Sequence, residues 1–280
     1  MKHIIIALQC EAKPLISHYK LKGRPHSQAF RIYEKDDMVL TVSGIGKVAS
    51  AAATAYTQVL FGNRDNNAWL NLGIAGHGHR AIGEAVLARK ITDDETQRQW
   101  YPPLIFSCSC DTENVITLGK PAGYYVDNAV YEMEASGFYA TATRFSTSEL
   151  VHCFKVISDN KDQPASRVSE PLTQRLIEQN IDTIDQVLNE LDQMAGQLET
   201  IEAIPKDFQF CCERWHFTSY QQSVLQRSLK RLEALSYNND FFYDEVCRLK
   251  NGKDVLRYLQ QKIDELATNT YVTNHSKIIS

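Results

Sequence analysis

Apolar residues are spaced differently in the two parts of the chain. Up to about residue 160, short apolar runs alternate with glycine turns and helical stretches; from about 165 onward the pattern is helical and glycines are few. This predicts an α/β domain over residues 1–185, its closing helix running to about 203, and a helical extension over 206–280. Strands are predicted at His3–Leu8, Trp69–Ile74, Ala85–Ala88 and Val151–Ile157, with a hairpin of Arg31–Glu34 and Met38–Ser43 turning at Lys35-Asp36-Asp37. An alanine-rich helix is predicted from Lys47 to Leu60, with Gly62 as its C-cap. Ile177, Ile181, Ile184, Leu188, Leu191, Ala195 and Leu198 recur at intervals of four and three, which predicts one long helix ended by Pro205. A second helix starts at Thr218 or Ser219 and buries Leu225, Leu229 and Leu232. A third runs from about Asp254 to Leu266.

Composition narrows the class. The chain has 280 residues, 43% of them hydrophobic, and a net charge of -4. A protein that tracks phosphates usually carries a basic excess, so nucleic acid is not the expected partner. No run approaches the roughly 18 apolar residues of a membrane span, and the first apolar run is too short for a signal peptide, so a cytoplasmic protein is expected. The seven cysteines are odd in number. Neither Cys108-Ser-Cys110 nor Cys211-Cys212 has zinc-ligand spacing, so buried reduced thiols are expected, with no structural metal.

Candidate chemistry sits where strands end, because open α/β sheets bind ligands at the carboxyl ends of their strands. The first strand runs into Gln9-Cys10-Glu11, a later one into Gly73-Ile74-Ala75-Gly76, and the last into Ser158-Asp159. Tyr131-Glu132-Met133-Glu134 is expected to open a helix, with Glu132 and Glu134 on different sides of it, one buried and one solvated. Each has a plainer reading: Glu11 as a first-turn carboxylate, Asp159 as an N-cap, Met133 as core. Gly44-Ile45-Gly46-Lys47-Val48-Ala49 fits G-x-G-x-x-A, and Asp65 lies near the offset of a dinucleotide site's acid. Against that oxidoreductase reading, the preceding strand is expected to pair in a hairpin, and Asp65 falls in a polar loop.

Together Ala7-Leu8-Gln9-Cys10-Glu11, Ser43 to Ala49, Asn71 to Gly76, Glu132-Met133-Glu134-Ala135 and Ile157-Ser158-Asp159 resemble, in order, the motifs of 5'-methylthioadenosine/S-adenosylhomocysteine nucleosidases in the nucleoside phosphorylase superfamily. The resemblance covers roughly residues 1 to 185. It implies a three-layer α/β/α sandwich with a twisted mixed sheet, a homodimer, and hydrolysis of the N-glycosidic bond of a purine nucleoside. It assigns Asp159 as the acid that protonates the base and Glu11 as the carboxylate that activates water. Glu134 is implied to hold the ribose hydroxyls, with Met133 beside the sugar and Ile74, Ala75, Gly76, Ser158 and Lys155 lining the site. Two opposed carboxylates suit this chemistry, since one must improve the leaving group while the other delivers water, and no metal or redox cofactor is required.

The sequence also departs from the family pattern. The span from Gly76 to Glu132 is short and lacks the loop carrying the aromatic that packs on the purine; Tyr124 or Tyr125 is the candidate replacement. Related phosphorylases place an arginine and a hydroxyl residue on the strand-loop of Gly73, and a further arginine in the first loop. Here Asn71 and Ile74 stand in those places and no arginine precedes Arg24, which favours hydrolysis over phosphorolysis. His77, His79 and Arg80 are the alternative anion site, and a nucleoside-binding scaffold without turnover is the non-enzymatic alternative. The extension is expected to pack on the α/β domain or join a dimer interface. Its basic cluster Arg214, His216, Arg227, Lys230 and Arg231 reads as a solvated face, with a docking platform for a protein partner as the sharper alternative.

Overall fold

The computed structural model describes residues 1–25, 29–62, 66–122, 125, 128–202, 204–235 and 242–276. Contacts divide the chain into two compact units, Met1–Ile201 and Glu202–Ser280.

The first unit is built on a mixed sheet. In chain order its elements are β1 (Lys2–Ile6), α1 (Gln9–Tyr19), β2 (Lys22–Gly23), β3 (Arg31–Lys35), β4 (Met38–Val42) and α2 (Lys47–Phe61). Then come β5 (Ala68–His77), β6 (Ala85–Asp93), β7 (Gln99–Trp100), β8 (Asp111–Thr117), β9 (Val130–Glu132), α3 (Ala135–Ala142) and β10 (Val151–Asp159). Helices α4 (Glu170–Glu178) and α5 (Ile181–Glu202) follow. Strands β4, β1, β5 and β10 are parallel neighbours, so their carboxyl ends share one edge. Beyond β5 the sheet closes on itself: β10 pairs with β6, β6 with β8, β8 with β9, and β9 returns to the end of β5.

Alternation along the central strands makes the three layers, because successive side chains leave opposite faces. Ile4, Ile6, Leu70, Leu72, Phe154 and Val156 face Leu15 of α1 and Ile177, Ile184 and Leu188 of α4 and α5. Ile5, Trp69, Val151, Cys153 and Ile157 face Ala53 of α2 and Phe138, Tyr139 and Ala142 of α3. The sandwich expected from the motifs is the observed fold.

Several local expectations change. The hairpin β3–β4 forms, but β4 also pairs in parallel with β1, so the hairpin does not argue against a βαβ unit. Strands β5 and β6 run three and five residues beyond their predicted ends, since the closed sheet supplies partners there. Gly62 caps α2 through its N–H to the Gln58 carbonyl, at φ -82° rather than left-handed. The predicted long helix is two helices. Asn180 breaks it: its side chain donates to the carbonyls of Leu176 and Gly83. The apolar seam survives the break because Ile177, Ile184, Leu188 and Leu191 are all buried against the sheet's core. The cysteines are free, but only Cys10, Cys153 and Cys211 are buried.

The second unit holds α6 (Phe208–Arg214), α7 (Ser219–Ala234), α8 (Phe242–Cys247) and α9 (Gly252–Ser276). Thr218 caps α7 as predicted: its hydroxyl accepts the Gln221 N–H, and the Gln221 side chain accepts the Thr218 N–H. Leu225, Leu229 and Leu232 pack with Cys211, Trp215, Val255, Leu259 and Ile263 in a core of their own. Arg214, His216, Arg227 and Arg231 are exposed, as a solvated face requires. No helix among the described residues is long and apolar enough to cross a membrane.

Candidate active site

The shared edge of β1, β4, β5 and β10 brings the four motif segments together around one cavity of about 180 Å³, room for roughly a dozen waters. Of the residues named from the sequence, Glu11, Ile74, Ala75, Gly76, Met133, Glu134, Ser158 and Asp159 line it.

Glu11 sits in the first turn of α1 and is 2% exposed. Its Oε2 accepts the Leu8 N–H and its Oε1 the Ile74 N–H, both at 2.8 Å. The first bond caps α1; the second ties the helix to β5. Gly73 permits that approach, since a Cβ there would lie 2.9 Å from Oε1. Burial pushes the Glu11 pKa up to about 7, against the opposing pull of those two N–H groups and Lys155. Asp159 is the last residue of β10, so it is not an N-cap. Burial raises its pKa to about 6. Ser158 Oγ donates to its Oδ1 at 2.5 Å, and the Tyr125 hydroxyl donates to its Oδ2.

The Glu132–Glu134 segment differs from its sequence reading. Tyr131 and Glu132 belong to β9, and the helix starts only at Ala135. Both glutamates are buried. Glu132 Oε2 accepts the N–H groups of Glu134 and Ala135, so the strand residue caps α3. This leaves Glu134 turned to the cavity, where its Oε1 accepts the Gly46 N–H at 2.8 Å. Burial, then the charge of Glu132, raises the Glu134 pKa.

Lys155 does not line the cavity, which corrects its assignment as a substrate-binding residue. It is fully buried, and its Nζ lies 2.9 Å from Glu132 Oε2 and 2.8 Å from Asn71 Oδ1. Burial works against its charge, but Glu132 and Glu134 outweigh that and keep it protonated. Its work is to neutralise the cap of α3.

In the glycine loop after β4, the N–H groups of both motif glycines are already engaged, Gly44 by the Ala7 carbonyl and Gly46 by Glu134 Oε1. Gly44 and Gly46 take φ of +83° and +103°, which aims the Gly46 N–H at a carboxylate rather than a phosphate. Lys47 is held by Asp93 and Glu95 at 2.9 and 2.6 Å. Asp65, the other half of that motif, lies outside the described residues, as does Tyr124. The alternative anion site is likewise spent: Arg80 is paired with Glu84, Asp111 and Glu113, and His77 Nδ1 accepts the His79 and Arg80 N–H groups. Among the described residues, no lysine or arginine lines the cavity.

The far wall is made by Leu118, Pro121 and Ala122, which sequence reasoning missed, with Tyr131 and with Tyr125, one of the two candidates for the missing aromatic. A signal for it existed. Val115-Ile116-Thr117 is a β-branched run followed by Gly119 and Pro121, the mark of a strand and its turn.

Solved structures with this arrangement of strands and helices can be compared directly. The 5'-methylthioadenosine/S-adenosylhomocysteine nucleosidase of Helicobacter pylori, bound to butyl-thio-DADMe-Immucillin-A, has a TM-score of 0.53 at 15% identity, over 68% of this chain and 97% of that one. This chain has the fold of those nucleosidases. The S. pneumoniae nucleosidase with the transition-state inhibitor MT-ImmA gives 0.53 at 20% identity, over 68% and 98%. The Colwellia psychrerythraea nucleosidase in complex with adenine gives 0.52 at 20% identity, over 69% and 94%. Two thirds of this chain thus spans nearly the whole nucleosidase fold. No protein-family model matches the sequence, and no curated protein matches it significantly.

Proposed function

We propose that the chain hydrolyses the N-glycosidic bond of a purine nucleoside of the methylthioadenosine or S-adenosylhomocysteine type. The observation that carries this reading is the pair Glu11 and Asp159. Two carboxyls with raised pKa values reach one cavity, Glu11 from the first turn of α1 and Asp159 from the end of β10, with Glu134 between the glycine loop and the same space.

The chemistry follows from the groups. Asp159, protonated, gives its proton to the base as the C1'–N bond breaks and its electron pair goes to the base. Glu11, ionised, takes a proton from the water that attacks C1'. A positioned acid or base of this kind contributes about 10²- to 10⁴-fold. Glu134 accepts hydrogen bonds from the sugar hydroxyls, which strengthen as the ring gains positive charge. Among the described residues phosphate finds no lysine or arginine in the cavity, which supports water as the nucleophile. That the nucleosidase neighbours hold adenine and transition-state inhibitors supports the substrate class.

The experiment is base release from methylthioadenosine, S-adenosylhomocysteine, adenosine and inosine, followed by chromatography with and without phosphate. Release of adenine that is independent of phosphate is expected. Release that requires phosphate makes the protein a phosphorylase, and no release from any substrate in either condition refutes catalysis.

A further inference from the structure

The acid in this cavity is already occupied. Tyr125, between β8 and β9, lays its ring against the end of β5, where glycines make room for it. A Cβ on Gly76 would stand 2.7 Å from both Tyr125 Cε1 and Asp159 Oδ2, and one on Gly78 would stand 3.3 Å from Tyr125 Cβ. The Tyr125 hydroxyl donates to Asp159 Oδ2 while Ser158 Oγ holds Oδ1. Both carboxyl oxygens therefore have protein donors, and a proton passed to a ligand has to leave through a position that one of them fills. Ser158 is fixed in the strand, its hydroxyl also reaching the Ala75 carbonyl at 3.2 Å. Tyr125 has somewhere to go: it lines both the inner cavity and an outer one of about 500 Å³, which Asn160, Lys161 and Ser166 also line.

We propose that Tyr125 is a positioning residue for the acid: its hydroxyl holds Asp159 Oδ2 toward the cavity, and the nucleobase takes the hydroxyl's place when it binds. The catalytic meaning of this rests on the base-release reading above; the contact itself does not. No covalent bond changes at Tyr125. The phenol keeps its proton and turns toward the outer cavity, and Asp159 donates to the base.

Other charges bear on Asp159. It shares the inner cavity with Glu11 of α1 and with Glu132 and Glu134 of the β9–α3 segment. Lys161, after β10, stands by Gly78 with its Nζ 3.2 Å from His79 Nε2. None of these is altered by removing one phenolic oxygen.

The test is a ¹³Cγ-aspartate NMR titration of the full chain and of Tyr125→Phe, with Asp159→Asn to assign the signal. An ionised carboxylate that loses a donor titrates higher, so Tyr125→Phe should raise the Asp159 midpoint by about one pH unit. Saturating adenine should abolish the difference. Midpoints that agree within about a few tenths of a unit in the free protein, or a difference that persists with adenine bound, overturn the proposal. Incorporation of 3-fluorotyrosine gives a second reading that does not depend on how the variant folds. Its hydroxyl is a stronger donor, so the midpoint should fall, and an unchanged midpoint counts against the proposal. If the titrations shift as stated while the parent protein releases no base, the Tyr125 assignment stands and the hydrolase reading fails.

Discussion

Replacing Glu11 by glutamine should weaken catalysis and, above neutral pH, relieve a cost built into the fold. Glu11 is 2% exposed, and burial moves its pKa from 4.5 to about 7. Below pH 4.5 the folded and unfolded chains both carry the proton, and no charge is buried. As the pH rises from 4.5 to 7 the unfolded chain ionises first, so stability falls; above 7 the penalty is complete. Linkage puts that penalty at about 1 kcal/mol at pH 5 and about 3 kcal/mol at pH 8, a difference of about 2–3 kcal/mol. Glutamine never ionises. Its one oxygen accepts from either Leu8 or Ile74, and its NH2, a donor, leaves the other N–H without an acceptor, which costs about 1–3 kcal/mol at every pH. The pH-independent part cancels when the two pH values are compared. Relative to the parent, Glu11→Gln should therefore gain about 2–3 kcal/mol of stability between pH 5 and pH 8. The assay is urea unfolding at both pH values, read by pulsed hydrogen exchange of the β1 and β5 peptides, which isolates the first unit. Base release by the same variant should fall about 10²- to 10⁴-fold. A stability difference that is the same at pH 5 and pH 8 refutes the claim that a buried, proton-hungry carboxylate sits at this position.

Other consequences follow from the same geometry. The specificity constant kcat/KM should trace a bell centred near about pH 6.5, because Glu11 must be ionised, above about 7, and Asp159 protonated, below about 6. Asp159→Asn should lose about 10²- to 10⁴-fold in base release yet still bind adenine by calorimetry; loss of binding with retained release would reverse its role. Gly76→Ala should abolish most activity without unfolding the protein, since its Cβ would stand 2.7 Å from Asp159 Oδ2; normal kinetics would show that the acid is not held there. Lys155→Met should cost about 3–5 kcal/mol by leaving Glu132 buried without its counter-charge. Adding Glu132→Gln should recover part of that loss in urea unfolding, and a double variant no more stable than the single one would show that the pair is not coupled.

The sequence by itself determined the periodic parts of this protein and the chemistry at its strand ends. Continuous apolar runs such as Ile4-Ile5-Ile6 specify a strand buried on both faces. The seam from Ile177 to Leu198 specifies a helix buried on one, and glycines and carboxylates directly after strands mark where ligands meet an open sheet. Those signals are local, so they could be read without knowing which strand neighbours which. What only the tertiary structure decided involves groups far apart in the chain. Asn180 splits a seam that looks continuous because Gly83 offers it a carbonyl. Lys155 reaches from β10 to Glu132, the residue that caps α3, which turns it from a site residue into a counter-ion. Tyr125 meets Asp159 across 34 residues, against glycines whose only visible property in the sequence is their lack of a side chain. A carboxylate's role depends on its solvation and on which donors reach its two oxygens, and both are set by how the sheet closes.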